Sequence, residues 1–331
     1  MRSPLVATVA VALGAVALAA GAPARPAAAQ VTQTRDQILF YTQAWTGERF
    51  PDGRPKLSDD LLKRALDISI EDLWGYLRDK GFVNQYEQGW KALHIDKPFA
   101  GRAVTTQYLP MRPDMAQAMH DEGVKEGRAN LSNNGWPIAM LDKGDLWIVD
   151  GYGKIVQGTI IGSNLGNAIA AKEGPGGGFV FDAAIRDQAE NREIPDFNGF
   201  YREEDPGSWA QMQLVSVNAP IHIGRATVLP GDMVLAKPEG VLVIPAYLAE
   251  DAISNAEFTG LEDAYNFELN KSGANGAAFE GGWSPDKYEG LRKYVAAHPK
   301  LLKMSQAEFD KLLAQRVARL SKPAAGWTPG G

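Results

Sequence analysis

The chain has 331 residues, a formal net charge of −6 and no cysteine. An acidic balance without blocks of Lys or Arg argues against nucleic acid or an anionic membrane as a partner. The missing thiols exclude disulfide bracing, cysteine nucleophiles and Cys-ligated zinc.

Residues 1–29 have the form of a secretory signal peptide. Met1-Arg2 is a short positive start, Leu5 to Ala20 an apolar stretch rich in Ala and Val, and Ala27-Ala28-Ala29 a small-residue cleavage site. The implied address is periplasmic or secreted, with cleavage after Ala29. There is no twin-arginine pair, so export precedes folding and any metal is acquired outside the cytoplasm. Losing Arg2 and Arg25 takes the net charge from −6 to −8. About 300 residues remain, enough for one large domain with an appendage. No later apolar run is long enough to span a bilayer, so no membrane contact is expected after cleavage.

Residues 30–56 are polar and mixed, with a turn at Pro51-Asp52-Gly53, and are expected to form an N-terminal arm. Ser58 then caps a predicted helix over Asp59 to Asp67, and Ser69 a second from Ile70 to Lys80. Ala100 to Leu109 alternates as a strand. Asp114 to Gly127 is expected to be helical, and its His120 is assigned no role. Gly144 to Asp150 is a turn and strand. Gly158 to Ile161 is a second strand that enters a helix through Gly162-Ser163-Asn164-Leu165. The amides at such a helix start point outward and can bind an anion.

The helix is expected to run to about Lys172 and to lead into the glycine-rich turn Gly174 to Gly178. Phe179-Val180-Phe181 follows as a buried strand, leading through Asp182 to Arg186-Asp187. A guanidinium fork can hold a carboxylate, and a carboxylate can hold a hard cation such as Mg²⁺. The plainer reading is a weak surface ion pair. In a strand–helix–strand unit both strands end on one edge, so Gly162–Leu165 and Arg186-Asp187 are expected to face one cleft. Ile194 to Gln213 carries Phe197, Phe200, Tyr201 and Trp209 among polar residues and is expected to be a long loop, a lid or an interface. Short strands follow from Pro220 to Pro245, where His222 fits a structural role. Ala246 to Ala256 and Leu261 to Lys271 are helical, and Gly273 to Pro285 is a break. The tail carries two helices, Tyr288–Ala297 and Ser305–Leu320, the second opened by a capping box at Ser305 and Glu308.

Four blocks in order carry a resemblance. They are Gly144-Asp145 through Asp150, Gly162-Ser163-Asn164-Leu165, Asp182-Ala183-Ala184-Ile185-Arg186-Asp187, and Leu229 to Ala236 with Gly240 to Pro245. Together they resemble the RraA-like family, which includes 4-hydroxy-4-methyl-2-oxoglutarate aldolases, regulators of ribonuclease activity and proteins often labelled demethylmenaquinone methyltransferases. The resemblance implies an α/β fold with a swivelling β/β/α-type core over residues 57–271. N-terminal helices and a C-terminal helical extension over residues 272–331 are added to it. It also implies a homotrimer or homohexamer with clefts between subunits.

By that resemblance Arg186 and Asp187 are catalytic, with Arg186 binding a small 2-oxo acid and Asp187 coordinating Mg²⁺ or Mn²⁺. The amides of Gly162, Ser163, Asn164 and Leu165 bind the substrate carboxylate, and Glu262 or Asp263 supplies an acid to a neighbouring subunit. The implied activity is an exported, metal-dependent carbon–carbon lyase that releases pyruvate by retro-aldol cleavage or decarboxylates oxaloacetate. The alternative is a non-catalytic periplasmic binding protein or oligomeric scaffold using the same cleft. Ser163 favours the alternative, because the family's aldolases carry Asp directly after that glycine and a serine is no carboxylate base. A third reading keeps the scaffold and uses the Phe197–Trp209 stretch to enclose a larger substrate. The export signal separates the chain from cytoplasmic RNA-processing enzymes.

Overall fold

Continuous apolar runs build the centre of the molecule. The structure, a computed structural model, describes residues 31–128, 133–208, 210–276 and 282–321. The predicted signal peptide and Trp209 lie outside these residues. Two short edge strands, β1 (Tyr86–Glu87) and β2 (Lys91–Ala92), bound a nine-stranded sheet. Its parallel centre is β3 (Phe99–Pro110), β4 (Asp145–Thr159), β5 (Gly177–Ile185) and β6 (Phe197–Glu204). β7 (Met212–Val217) pairs antiparallel with the far end of β3, and β8 (Ile221–Ile223) with β9 (Ala226–Val228) forms a separate ribbon. β10 (Met233–Lys237) and β11 (Gly240–Ile244) continue the sheet antiparallel beyond β3. Every residue of β5 is buried, as a parallel strand covered on both faces must be.

Ten helices surround this sheet among the described residues. Those N-terminal to the cleft are α1 (Arg35–Tyr41), α2 (Asp59–Leu66), α3 (Ile70–Asp79), α4 (Pro113–Lys125) and α5 (Gly135–Ala139). The others are α6 (Ser163–Glu173), α7 (Gln188–Arg192), α8 (Ala249–Lys271), α9 (Pro285–Ala297) and α10 (Gln306–Leu320). Ser58, Ser69 and Ser305 cap α2, α3 and α10 as expected, each accepting from the amide three residues on. One sheet face packs Trp147, Phe179 and Phe181 against Ile169 of α6. The other packs Ile148 and Val180 against Ile221 and Val228 of the ribbon. A third cluster places α2, α3 and the first half of α8 over β10 and β11, and a fourth joins the second half of α8 to α9 and α10.

Several elements depart from the expectation. Ile194 to Gln213 is not a long loop, because its last residues begin β7 and β6 runs through it as a parallel strand of the sheet. Its disguise is Asn198-Gly199. The Asn198 amide donates to the carbonyls of His94 and Lys97, and a Cβ at Gly199 would lie 2.1 Å from the Phe179 ring. A strand that needs a polar clasp and a bare backbone does not look apolar. Gly158 to Ile161 is no separate strand either. Its start is the end of β4, which resumes its pairing with β5 after an irregular excursion through Tyr152, Gly153 and Gln157, all at positive φ.

The N-terminal arm is woven into the body. Thr34 and Gln37 form a capping box on α1, and Arg49 donates to the carbonyls of Thr42, Trp45 and Gly53. Arg54 is 1 % exposed and pairs with Asp52 and with the buried Asp145 of β4. A buried cation in this setting persists only because both carboxylates face it. The helix after Pro245 is one 23-residue element, not two stretches.

Candidate functional site

The strand ladder delivers the predicted residues to one place. Beyond the last rungs, Ile160 donates to the carbonyl of Ala184 and the amide of Arg186 to that of Ile161. The chain then turns into α6 at Gly162 and into α7 at Asp187. A cavity of about 110 Å³ opens there, lined by Ile161, Gly162, Asn164, Leu165, Arg186 and Asp187, with Ser208 at its side. The strand–helix–strand argument thus brings Gly162–Leu165 and Arg186–Asp187 together.

Within the cleft, the Ser163 amide donates to Asp187 Oδ2 at 3.0 Å. Arg186 Nε lies 3.8 Å from the same oxygen, and both side chains are close to half exposed. The ion pair itself is therefore weak, and the guanidinium remains available to an anion. The first-turn amides of Asn164 and Leu165 have no acceptor within α6. Gly162 is required by close approach, since a Cβ there would lie 2.4 Å from Asp187 Oδ2 and 2.9 Å from Arg186 Nε. Asp187 adopts the left-handed conformation, φ 54° and ψ 43°, which Asp tolerates better than most residues. Its Oδ1 accepts no hydrogen bond among the described residues. One free carboxylate oxygen, completed by water and substrate oxygens, is a donor set that suits Mg²⁺ or Mn²⁺, so Asp187 fits the metal the sequence implies.

Glu262 and Asp263 do not line this cleft. Glu262 is buried beneath the tail, where Tyr288 donates to its Oε1 at 2.7 Å and Arg316 Nε lies 3.7 Å away. Burial raises its pKa above the ordinary carboxylate value, against the opposing pull of Tyr288 and Arg316. Asp263, one residue on, is exposed.

The sequence reading missed one group. Asp150, Asp182 and His222 each offer a ligand atom, and these atoms lie within 4.8 Å of one another. Asp150 and Asp182 are buried on neighbouring strands, while the His222 ring is 58 % exposed with Nε2 at 3.4 Å from Asp150 Oδ2. Gln107 also donates to Asp150, and Arg202 holds Asp182 at 2.5 Å. Such a set can hold a divalent cation through mixed oxygen and nitrogen donors, or stand as a hydrogen-bonded cluster without one. The signal lay in two apolar runs, Trp147-Ile148-Val149 and Phe179-Val180-Phe181, each ending in Asp. Parallel pairing of Val149 with Phe181 puts those carboxylates side by side.

The fold and the cleft together define an α/β protein with a small cleft at the carboxyl ends of parallel strands. The chain belongs to the RraA-like family: the family model, described as Aldolase/RraA, matches residues 55–243. A protein of Halalkalibacterium halodurans, provisionally named 4-hydroxy-4-methyl-2-oxoglutarate aldolase, is 30% identical over 86 residues. That match spans 26% of this chain and 40% of the relative. RraAS2 of Streptomyces coelicolor, described as an unusual member of the RNase ES inhibitor RraA protein family, superposes with a TM-score of 0.51 at 23% identity. It covers 65% of this chain and 97% of its own. An uncharacterized protein of Pseudomonas syringae pv. tomato gives 0.51 at 20% identity, covering 66% and 96%. These structures share the fold.

Proposed function

We propose that the protein is an exported, divalent-metal-dependent lyase acting on a small 2-oxo acid, by retro-aldol release of pyruvate or by decarboxylation of oxaloacetate. The observation that carries this reading is the convergence of Arg186, Asp187 and the start of α6 on one small cleft. The provisional aldolase name of the partial relative supports the same chemistry.

In this reading the amides of Asn164 and Leu165 bind the substrate carboxylate, aided by the positive end of α6. The Arg186 fork holds the 2-oxo acid in register. Asp187 would hold Mg²⁺ or Mn²⁺, which when bound supplies a Lewis acid for the 2-oxo group. In the retro-aldol direction the 4-hydroxyl loses its proton, the C3–C4 bond breaks, and its electron pair passes to the pyruvyl fragment. The Arg186 cation and the α6 dipole stabilise that negative charge. Ser163 leaves no second carboxylate at the helix start, so the hydroxyl proton passes to water or to a carboxylate of a neighbouring copy, for which the exposed Asp263 is suited. C3 of the pyruvyl fragment regains a proton from water to give pyruvate. The homotrimer or homohexamer that the family resemblance implies is part of this reading.

The test is pyruvate release from 4-hydroxy-4-methyl-2-oxoglutarate or oxaloacetate with Mg²⁺ or Mn²⁺, against an EDTA control. Release that EDTA abolishes establishes the class. Oxo-acid binding without turnover would instead favour the periplasmic binding protein, the reading that Ser163 supports.

A further inference from the structure

The Arg186–Asp187 turn is held from behind by a residue that no functional assignment covers. Asn191, on α7, is completely buried. Its side-chain Nδ2 donates to the carbonyl of Arg186 at 3.1 Å and to that of Asp187 at 2.9 Å, while its own amide donates to the Asp187 carbonyl at 3.0 Å. Asp187 is the left-handed residue of this turn, and its side chain makes no helix cap of its own. Left-handed non-glycine residues persist where the surroundings over-determine them. Three donated hydrogen bonds from one buried residue provide that constraint.

The opposite wall is shaped to receive Asn191. Gly166 of α6 faces it so closely that a Cβ there would lie 1.9 Å from Asn191 Oδ1. That oxygen is buried and has no hydrogen-bond partner among the described residues, an uncommon condition in a native interior. An amide kept at such a cost is kept for its donor end. A side chain of the same shape without the donor would not hold the two carbonyls.

We propose that Asn191 is a positioning residue that, seated against Gly166, fixes the left-handed Arg186–Asp187 turn and so sets the Asp187 carboxylate over the start of α6. The inference rests on the proposed role of Asp187 as metal ligand, but its geometric part does not. Residues that orient a metal ligand from outside typically change metal affinity about 10–100-fold when removed.

The experiment uses the full mature chain and measures Mn²⁺ affinity by calorimetry or electron paramagnetic resonance, thermal melting, and crystal structures of the variants. Asn191→Ala and the isosteric Asn191→Asp should each weaken Mn²⁺ binding about 10–100-fold, with Asp187 leaving the left-handed region. Gly166→Ala keeps the Asn191 amide but fills its seat, so it should lower affinity in the same way and secure the test if an Asn191 variant fails to fold. The double variant Gly166→Ala/Asn191→Ala should be no worse than Asn191→Ala, because the clash has gone. Asp187→Asn separates the two claims: if it leaves Mn²⁺ affinity unchanged, the metal assignment fails. The turn geometry in the variant crystals then decides the role of Asn191. An Asn191→Ala structure with Asp187 still left-handed and on the Ser163 amide overturns the proposal, as does, where Asp187→Asn lowers Mn²⁺ affinity, an Asn191→Ala variant with a lowered melting temperature and unchanged Mn²⁺ affinity.

Discussion

Substituting Gly162 by Ala perturbs the cleft with little disturbance elsewhere. The backbone there is extended, φ −117° and ψ −172°, so alanine introduces no torsional strain, and a stiffer unfolded chain should add about 0.4–1 kcal/mol of stability. The new methyl group, however, would lie 2.4 Å from Asp187 Oδ2 and 2.9 Å from Arg186 Nε. Ordinary contact needs about 1 Å more, and a 1 Å misplacement of a reacting group costs on the order of 10²-fold in rate. The Asp187–Ser163 hydrogen bond is disrupted as well, which removes about 1.5–3 kcal/mol as a bond to a charged group. Gly162→Ala should therefore melt within about 3 kcal/mol of the parent, while pyruvate release falls roughly a hundredfold and Mn²⁺ binding weakens. A variant with parental kcat/KM and parental Mn²⁺ affinity would refute the assignment of this cleft.

Arg186→Lys should fail to restore oxo-acid binding, because a point ammonium does not reproduce the planar fork; normal turnover in that variant would remove Arg186 from the substrate site. Glu173 is fully buried, and burial raises its pKa well above the ordinary 4.5. The neutral form is the one the fold favours, so its stabilising effect is complete below about pH 4.5 and is lost as pH climbs towards the raised folded value. Glu173→Gln should flatten that decline, raising the melting temperature at neutral pH relative to the parent; an unchanged difference across pH 4–8 counts against it. Tyr288→Phe strips Glu262 of its hydrogen bond and should cost about 1.5–3 kcal/mol in denaturant unfolding, without changing the cleft's Mn²⁺ affinity.

What was legible in the sequence was whatever is local along the chain. Gly162–Leu165 and Arg186–Asp187 lie at the ends of consecutive elements of one strand–helix–strand unit, so periodicity alone placed them on one edge. The helix caps at Ser58, Ser69 and Ser305 were legible because capping uses residues three apart. β6 was not, since Asn198 and Gly199 serve contacts with His94, Lys97 and Phe179 that lie far away in sequence. The same limit hid the pairing of Arg54 with Asp145, whose partners are separated by 91 residues. The Asp150–Asp182–His222 group needed the strand register, and Asn191 is informative only once Gly166 is seen behind it. The burial of Glu262 depends on Tyr288 in a tail whose docking no pattern within α8 announces.

That tail gives α8 a divided allegiance. Ala249, Ala252, Ile253 and Ala256 sink into the cluster over β10 and β11, whereas Phe258 and Leu261 belong to the cluster shared with α9 and α10. One continuous helix is thus a splint between two oily seams that otherwise have separate memberships. The family match stops at residue 243, before the splint begins. At the boundary between the two seams stands Glu257, whose carboxylate is tied to Arg64 of α2 at 2.7 Å.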